Sequence, residues 1–270
     1  DDHRLPIPGG EDFETFVPSN KLFMAVDKEQ VRKYNVVSDS AVVDTMRFSL
    51  GLSDKSPFLI KDQLAMLDII ANNLWERPIY WAVTVREERL LGLQDYMQLE
   101  GLALRLVPVK SQSDLRAYGM VGAGRVNEDI AFKNIMEKWA WGNFDKEKLH
   151  VDRSYMPSLQ TMRVAIIRTG RQLVADGKKE QAIQLADKYF EVFPDYNFPN
   201  DQFTAFMADL YARAGANEKA AATIRKMAGS LEEQMRFHQS LSPRFQDGYE
   251  QDYQYALGNL QTLLRVADDM

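Results

Sequence analysis

The sequence predicts an α+β chain: a small mixed α/β N-terminal unit followed by an all-helical array of helix pairs. Three observations predict it. Short runs rich in β-branched and aromatic residues alternate with helical periodicity between about residues 21 and 120. After Gly124 the strand signal fades, and apolar residues recur at spacings of three and four. Small residues in the second half repeat at an offset of 38 positions. The division is an arm or linker over 1–20, a small mixed α/β domain over 21–140 and a helical domain over 151–270, with the polar stretch 141–153 at the boundary.

The opening 20 residues are polar and turn-rich, with Pro6, Pro8, Gly9, Gly10 and Pro18. LFMAV at 22–26 then predicts a short strand, DKEQVRKYN at 27–35 a short helix and VVDTMRFSL at 42–50 a second strand. Leu64, Leu67, Ile70, Ala71 and Leu74 share one face of a helix that Asp62 caps and that ends before Pro78. PIYWAVTV at 78–85 is the strongest strand signal, because a proline at its first position costs no central ladder bond. Residues 86–101 are expected to return to helix or turn. LALRLVPV at 102–109 places Leu102, Leu104, Leu106 and Pro108 on one side with a period of two. Phe132, Ile135, Met136 and Trp139 mark a short helix that Asn127 caps.

Beyond 153 the pattern is helical. Two helix patterns over 163–194 are divided by Asp176 and Gly177 and stopped by Pro194. Advancing 38 residues sets Ala208 in the place of Gly170, Gly215 in that of Gly177 and Ala220 in that of Ala182, with Tyr211 near the end of the first helix. These positions resemble a tetratricopeptide repeat, a two-helix unit of about 34 residues. Here the unit is longer, Ala186 stands where a large aromatic is usual and Ile166 replaces the initial Trp. Such pairs need neighbours or caps to bury their apolar faces. A final helix over 248–267, carrying Tyr249, Tyr253, Ala256, Leu260 and Leu263, is expected to supply one, after a short helix over 231–240 interrupted by Pro243.

Composition sets limits on function. The 39 acidic and 33 basic side chains give a formal charge of -6 spread along the chain, which offers little long-range attraction to nucleic acid or anionic lipid. With no cysteine there is no disulfide framework, zinc-thiolate centre or thiol nucleophile. No apolar run approaches the roughly 20 residues that cross a bilayer, so the expectation is a soluble chain that does not itself insert into membrane. It begins at Asp1 without an initiating Met or a signal pattern, from which processing or truncation is expected.

Enzyme signatures are missing: no His-Glu-x-x-His zinc helix, no phosphate loop ending in Lys and Ser or Thr, no Gly-x-Ser-x-Gly elbow and no Asp-x-Asp triplet. GAGR at 122–125 lacks the third glycine of a dinucleotide fingerprint and reads as a turn. His3, His150 and His238 lie far apart in sequence. The expectation is no catalytic residue, no metal and no cofactor, with a carbohydrate-active enzyme surviving only as a remote alternative because carboxylates are abundant.

The most informative stretch is NNLWERPIYWAVTV at 72–85. In one reading Trp75, Tyr80 and Trp81 are core aromatics at a helix-to-strand junction, and Asn73 and Arg77 tie up polar backbone groups there. In the other, Asn73, Glu76 and Arg77 belong to a groove with aromatic walls suited to sugar rings or a peptide strand.

The segments KDQLAMLDIIANNLWERPIYWAVTV at 61–85, LGLQDYMQLEGLALRLVPV at 91–109 and GRVNEDIAFKNIMEKWAWGN at 124–143 carry a resemblance of their own. They resemble the soluble C-terminal region of a bacterial membrane-protein family, common in Bacteroidetes and described as protein O-mannosyltransferase-like. Its core is Asn73, Trp75, Arg77, Pro78, Ile79 and Tyr80, with Trp81 where members usually have Phe. Such members look like integral-membrane glycosyltransferases whose chemistry lies in a multispanning N-terminal part. The resemblance therefore implies a non-catalytic extramembrane accessory domain on the periplasmic side of a bacterial inner membrane, attached to a transmembrane region preceding Asp1. Its partner would be a protein or glycan acceptor. The alternatives are a peptide-binding helical-repeat protein unrelated to glycosylation, and a secreted or periplasmic soluble protein. Asp39-Ser40-Ala41 and Asp44-Thr45-Met46 each fit a short bacterial O-glycosylation signal, which makes Ser40 and Thr45 candidate modification sites.

Overall fold

A computed structural model describes residues 4–6, 13–15, 19–38, 41–52, 58–73, 75–111 and 123–268. Contacts divide the chain into two units: the first is Asp1–Leu99 with Ala103–Arg125, the second Glu100–Leu102 with Val126–Met270. The α+β class holds, with the mixed elements in the first unit and helix pairs in the second.

In the first unit, strands β1 (Arg4–Pro6) and β2 (Phe13–Thr15) pair antiparallel within the stretch expected to be an arm or linker. Strand β3 (Lys21–Ala25) pairs antiparallel with β4 (Thr45–Ser49), Lys21 opposite Ser49. Helix α1 (Lys28–Lys33) lies between them, and the Asp27 carboxylate caps it by accepting the backbone N–H groups of Glu29 and Gln30 at 2.9 and 3.1 Å. Helix α2 (Lys61–Asn73) starts two residues earlier than expected, so Asp62 sits inside it and is not the cap. Its carboxylate instead meets the Gln63 N–H at 2.7 Å and Arg89 at 3.3 Å, while Gln63 reaches back to the N–H of Ile60. Leu74, expected on the same face, lies outside the described residues.

Strands β5 (Tyr80–Ala82), β6 (Met97–Leu99), β7 (Ala103–Leu106) and β8 (Arg125–Val126) form one sheet in the order β5-β7-β6-β8. The strand predicted over 78–85 is cut to three residues, because Pro78 has no N–H to give the ladder and a turn closes after Ala82, where Val85 N–H meets the Ala82 carbonyl. Residues 86–101 hold two 3₁₀ turns and then β6, a strand the sequence pattern hid. At three residues its Met-Gln-Leu alternation is too short to mark a strand, and all three side chains are buried. Along 102–109, Leu104 and Leu106 are buried as the period of two requires, whereas Leu102 is 41% exposed in the turn before β7. Tyr96 joins the β3–β4 pair to the rest: its buried hydroxyl accepts the Arg47 N–H at 2.9 Å.

In the second unit, helix α3 (Glu128–Glu137) is capped as expected, Asn127 accepting the Ile130 N–H at 3.1 Å. Helices α4 (Met156–Ala175), α5 (Lys179–Val192), α6 (Gln202–Arg213), α7 (Asn217–Ser240) and α8 (Pro243–Asp268) follow. Helix α3 packs on α4 and α5, which is why it belongs here although the sequence grouped it with the preceding domain. The small residues stand at close helix approaches: a Cβ on Gly170 would run into Leu210, and Ala182, Ala186, Ala208 and Ala220 are buried. The short helix expected over 231–240 is the continuation of α7, and Leu231 carries its buried stripe onward. Pro243 opens α8, a first-turn position where its missing N–H costs nothing. Helix α8 caps the array, packing Ala256, Leu263 and Val266 against Ala205, Ala208, Met227 and Leu231. Tyr249, at the near end of the expected stripe, stays exposed and edges onto Phe237.

Candidate functional site

The residues singled out in the sequence sit at the junction of α2 and β5. Asn73 donates to the Ile69 carbonyl within α2, and its own carbonyl accepts the Glu76 N–H at 2.7 Å. The turn that follows places Trp75 at φ +76°, a left-handed conformation unfavourable for a bulky side chain. The indole nevertheless points inward, 8% exposed. Trp81 is also buried, at 6%, and its Nε1–H meets the Met66 sulfur at 3.2 Å. Tyr80 is 46% exposed and stands opposite Arg105 across the β5–β7 pair.

Trp75 and Arg77 come together in a small cleft of about 20 Å³, room for about one water molecule. Its remaining walls are Met24, Val36, Ile70, Pro78, Ile79, Arg105 and Leu106. Asn73, Glu76, Tyr80 and Trp81 stand outside that lining. Trp75 is the one aromatic residue named in this lining, which otherwise consists of aliphatic residues and two arginines. Met24 on β3, Val36 on the α1–β4 connection and Arg105 on β7, which the sequence did not single out, come to the same lining from distant parts of the chain.

The second unit holds a polar network that the sequence reading missed. Arg163 on α4 makes a bidentate pair with Asp201, at 2.7 and 2.9 Å, and its Nε donates to the Tyr189 hydroxyl at 2.8 Å. Asp201 is also the N-cap of α6, accepting the Phe203 N–H at 3.0 Å, with Thr204 completing a capping box. The guanidinium, 2% exposed, lies 4.4 Å from the centre of the Phe203 ring. Burial opposes the Arg163 charge, but Tyr189 and Asp201 outweigh it and hold the pKa above its ordinary value. Burial, joined by the Asp201 charge, pushes the Tyr189 hydroxyl well up. The available signal was an Arg and an Asp at equivalent repeat positions.

Above this network opens a cleft of about 300 Å³ between α5 and α7. Phe190, Phe193 and Phe198 supply its rings, Asn200, Thr204 and Thr223 its polar groups. Lys226 and Asp195 pair at 2.8 Å on its lining, and the hydrogen bond from Lys226 is the main reason the Asp195 pKa falls below the usual carboxylate value.

Ser40, His3 and Gly122 lie outside the described residues. Thr45 is the half-buried first residue of β4. Gly124 occupies a turn at φ +59°, where a Cβ would strike the Met97 carbonyl. His150 is exposed, and His238 stacks on Tyr253 with centroids 4.3 Å apart. Among the described residues, no group of three or more His, Asp or Glu is placed to hold a metal ion, and no helix is long and apolar enough to cross a membrane.

Residues 3–130 match the family model described as TMEM260-associated domain 2, a stretch that contains the junction and the Trp75 cleft. No curated protein and no solved structure matches the chain.

Proposed function

We propose that the chain is a peptide-binding helical-repeat protein, with recognition carried by the second unit. The observation that carries the reading is the α5–α7 cleft: a floor of phenylalanine rings with hydroxyl and amide groups at its edge. A ring floor takes an apolar or aromatic side chain, and the polar edge takes the carbonyl and amide groups of an extended backbone. Arg163 stiffens the floor from beneath, its donors already committed to Asp201 and Tyr189. The exposed Lys226–Asp195 pair contributes more to choice of partner than to affinity. Helix-pair arrays suit such partners because successive units each present a few side chains.

The test is an arrayed peptide library read by fluorescence polarisation, with Ala222→Trp as the blocking variant. Ala222 is an exposed α7 residue on the cleft lining, so the indole fills the opening without entering the core. Selected peptides are expected to share an aromatic or large apolar residue and to lose at least about tenfold in affinity on the variant. Peptides that bind both chains equally would sink the reading.

A second reading is an extramembrane accessory domain of a membrane glycosyltransferase-like protein on the periplasmic side of a bacterial membrane, positioning a protein or glycan acceptor. The resemblance of most of residues 20–230 to that bacterial family and the match over residues 3–130 support it. The coding sequence upstream of Asp1 separates the two: hydrophobic spans favour the accessory domain, a signal peptide directly before Asp1 a free binding protein. Modification of Ser40 or Thr45 belongs to the same reading, and an unshifted mass for the 34–47 peptide from native envelope would remove it.

A further inference from the structure

The connection between α5 and α6 sets one side chain on the lining of the second unit's cleft and leaves it unused. Asn197 pins this loop from one side: its side-chain N–H groups donate to the Phe144 and Glu147 carbonyls at 2.8 and 2.7 Å, and its oxygen accepts the Leu149 N–H at 2.7 Å. Asp201 pins it from the other through Arg163 and the α6 cap. Between them Phe198 is buried edge-on against Phe193 and Phe144, with centroids 5.0 and 5.1 Å away, and Pro199 fixes its own φ. Asn200, half-buried on the cleft lining, is therefore held in place by anchors other than itself. Its side-chain amide has no hydrogen-bond partner among the described residues.

The other polar side chains of the lining are engaged. The Thr204 hydroxyl accepts the Asp201 N–H at 3.4 Å, the Thr223 hydroxyl donates to the Lys219 carbonyl at 2.9 Å, and Lys226 pairs with Asp195. Arg163 serves Asp201 and Tyr189. Asn200 thus brings to the cleft a donor and an acceptor side by side, both uncommitted. An extended residue presents its N–H and C=O to the same side, which is how opposite residues of an antiparallel pair exchange two bonds. One side-chain amide can take both. The cleft volume of about 300 Å³ stands at the lower end for ligand sites, enough for one large side chain with its backbone and too small for a folded partner. We infer that Asn200 determines the specificity of this cleft by pairing with the N–H and C=O of the residue whose side chain rests on Phe190, Phe193 and Phe198. The occupant is then an interior aromatic or large apolar residue of an extended peptide, and proline is refused because it has no N–H to give. The inference rests on the peptide-binding reading and narrows it.

The test uses the whole ¹⁵N-labelled chain, followed by NMR, and the probe acetyl-Val-Thr-Phe-Thr-Val-amide, whose β-branched residues favour an extended backbone. A second probe carries an ester in place of the Thr-Phe amide, which removes the Phe N–H with little change of shape. On the natural chain the amide probe is expected to move the Asn200 side-chain NH2 signals, assigned by their absence from Asn200→Ala. The ester is expected to bind about fivefold more weakly. On Asn200→Ala the amide probe is expected to lose about tenfold, and the two probes to bind alike, because the partner of the missing N–H is gone. A merely structural role for Asn200 would weaken both probes and keep their ratio, which would overturn the inference. If Asn200→Ala does not fold, the two probes on the natural chain still decide. Shifts at the Phe193 and Thr223 amides with a still Asn200 signal, or with equal affinity for amide and ester, would overturn the inference and leave the peptide-binding reading standing. No shift at any of these residues would remove both. Methyl β-glucoside binding there more tightly than the peptide would give the cleft to a sugar and remove both as well.

Discussion

Arg163 and Asp201 occupy equivalent positions of the two helix-pair copies, 38 residues apart, and form a bidentate ion pair in the interior of the second unit. A second Arg and Asp at the same offset, Arg171 and Asp209, meet at 3.5 Å. The repeat therefore joins its copies through charge as well as through small residues. Because the Asp201 carboxylate also caps α6, two effects can be separated by substitution. Asp201→Asn keeps a side-chain acceptor at the cap but leaves a buried guanidinium uncompensated, and is expected to cost about 3–5 kcal/mol. Asp201→Ala also removes the cap, adding about 1 kcal/mol. Urea unfolding measures both, and a loss below about 1 kcal/mol for Asp201→Asn would show that the pair does not hold the copies together.

Gly92 and Gly51 have nearly the same backbone, φ +75° and +72°, but different surroundings. A Cβ at Gly92 would occupy the place of the Ser49 carbonyl, whereas at Gly51 it would enter open space. Gly51→Ala is expected to cost about 1 kcal/mol from the left-handed conformation alone. Gly92→Ala must also move the end of β4, and its cost is expected to exceed that of Gly51→Ala by at least about 1 kcal/mol. Thermal unfolding of the two variants compares them, and equal midpoints would mean that β4 yields freely.

The helix pairs were legible because a 3.6-residue period needs only one buried face, and because Gly170, Ala182, Ala208 and Ala220 leave a trace wherever helices approach closely. Strand β6 was not, since Met97, Gln98 and Leu99 are all buried and Gln98 satisfies its side chain with Arg125, which no local pattern announces. The run over 72–85 contains Trp75 and Arg77, and the cleft they line is completed by β3, the α1–β4 connection and β7, whose approach is a tertiary fact. The join of 231–240 to α7 was hidden for another reason: most polar residues there face solvent, and the stripe narrows to Leu231 with the partly buried Met235.

Lys178, at the turn between α4 and α5, reaches Glu128 at 2.8 Å and Asp129 at 2.7 Å in the first turn of α3. Hydrogen bonds to Asp129 first and Glu128 second raise its pKa above the ordinary lysine value. For a raised pKa, the stabilisation is complete below the unfolded value of about 10.4 and is lost as pH rises through the folded one. The difference in melting temperature between the natural chain and Lys178→Ala is therefore expected to be constant from neutral pH to about pH 10 and to narrow above it. A difference that stays constant in alkali would assign the effect of Lys178 to its aliphatic stem.

Tyr96 offers the sharpest test in the first unit, because one oxygen atom links the β3–β4 pair to the 3₁₀ turn that precedes β6. The hydroxyl accepts the Arg47 N–H at 2.9 Å and lies 3.4 Å from the Arg47 carbonyl, while the ring is buried. Tyr96→Phe keeps the ring and its packing, so no cavity is made beyond the volume of one oxygen. What it removes is the partner of a backbone N–H on β4, and a donor left without one costs about 1–3 kcal/mol. Hydrogen exchange reads this locally. The Arg47 amide is expected to lose protection in Tyr96→Phe by about tenfold or more, while the Met46 amide, a neighbour on the same strand, changes only with global stability. Equal loss at both amides would mean that the hydroxyl stabilises the unit as a whole without holding β4 in place.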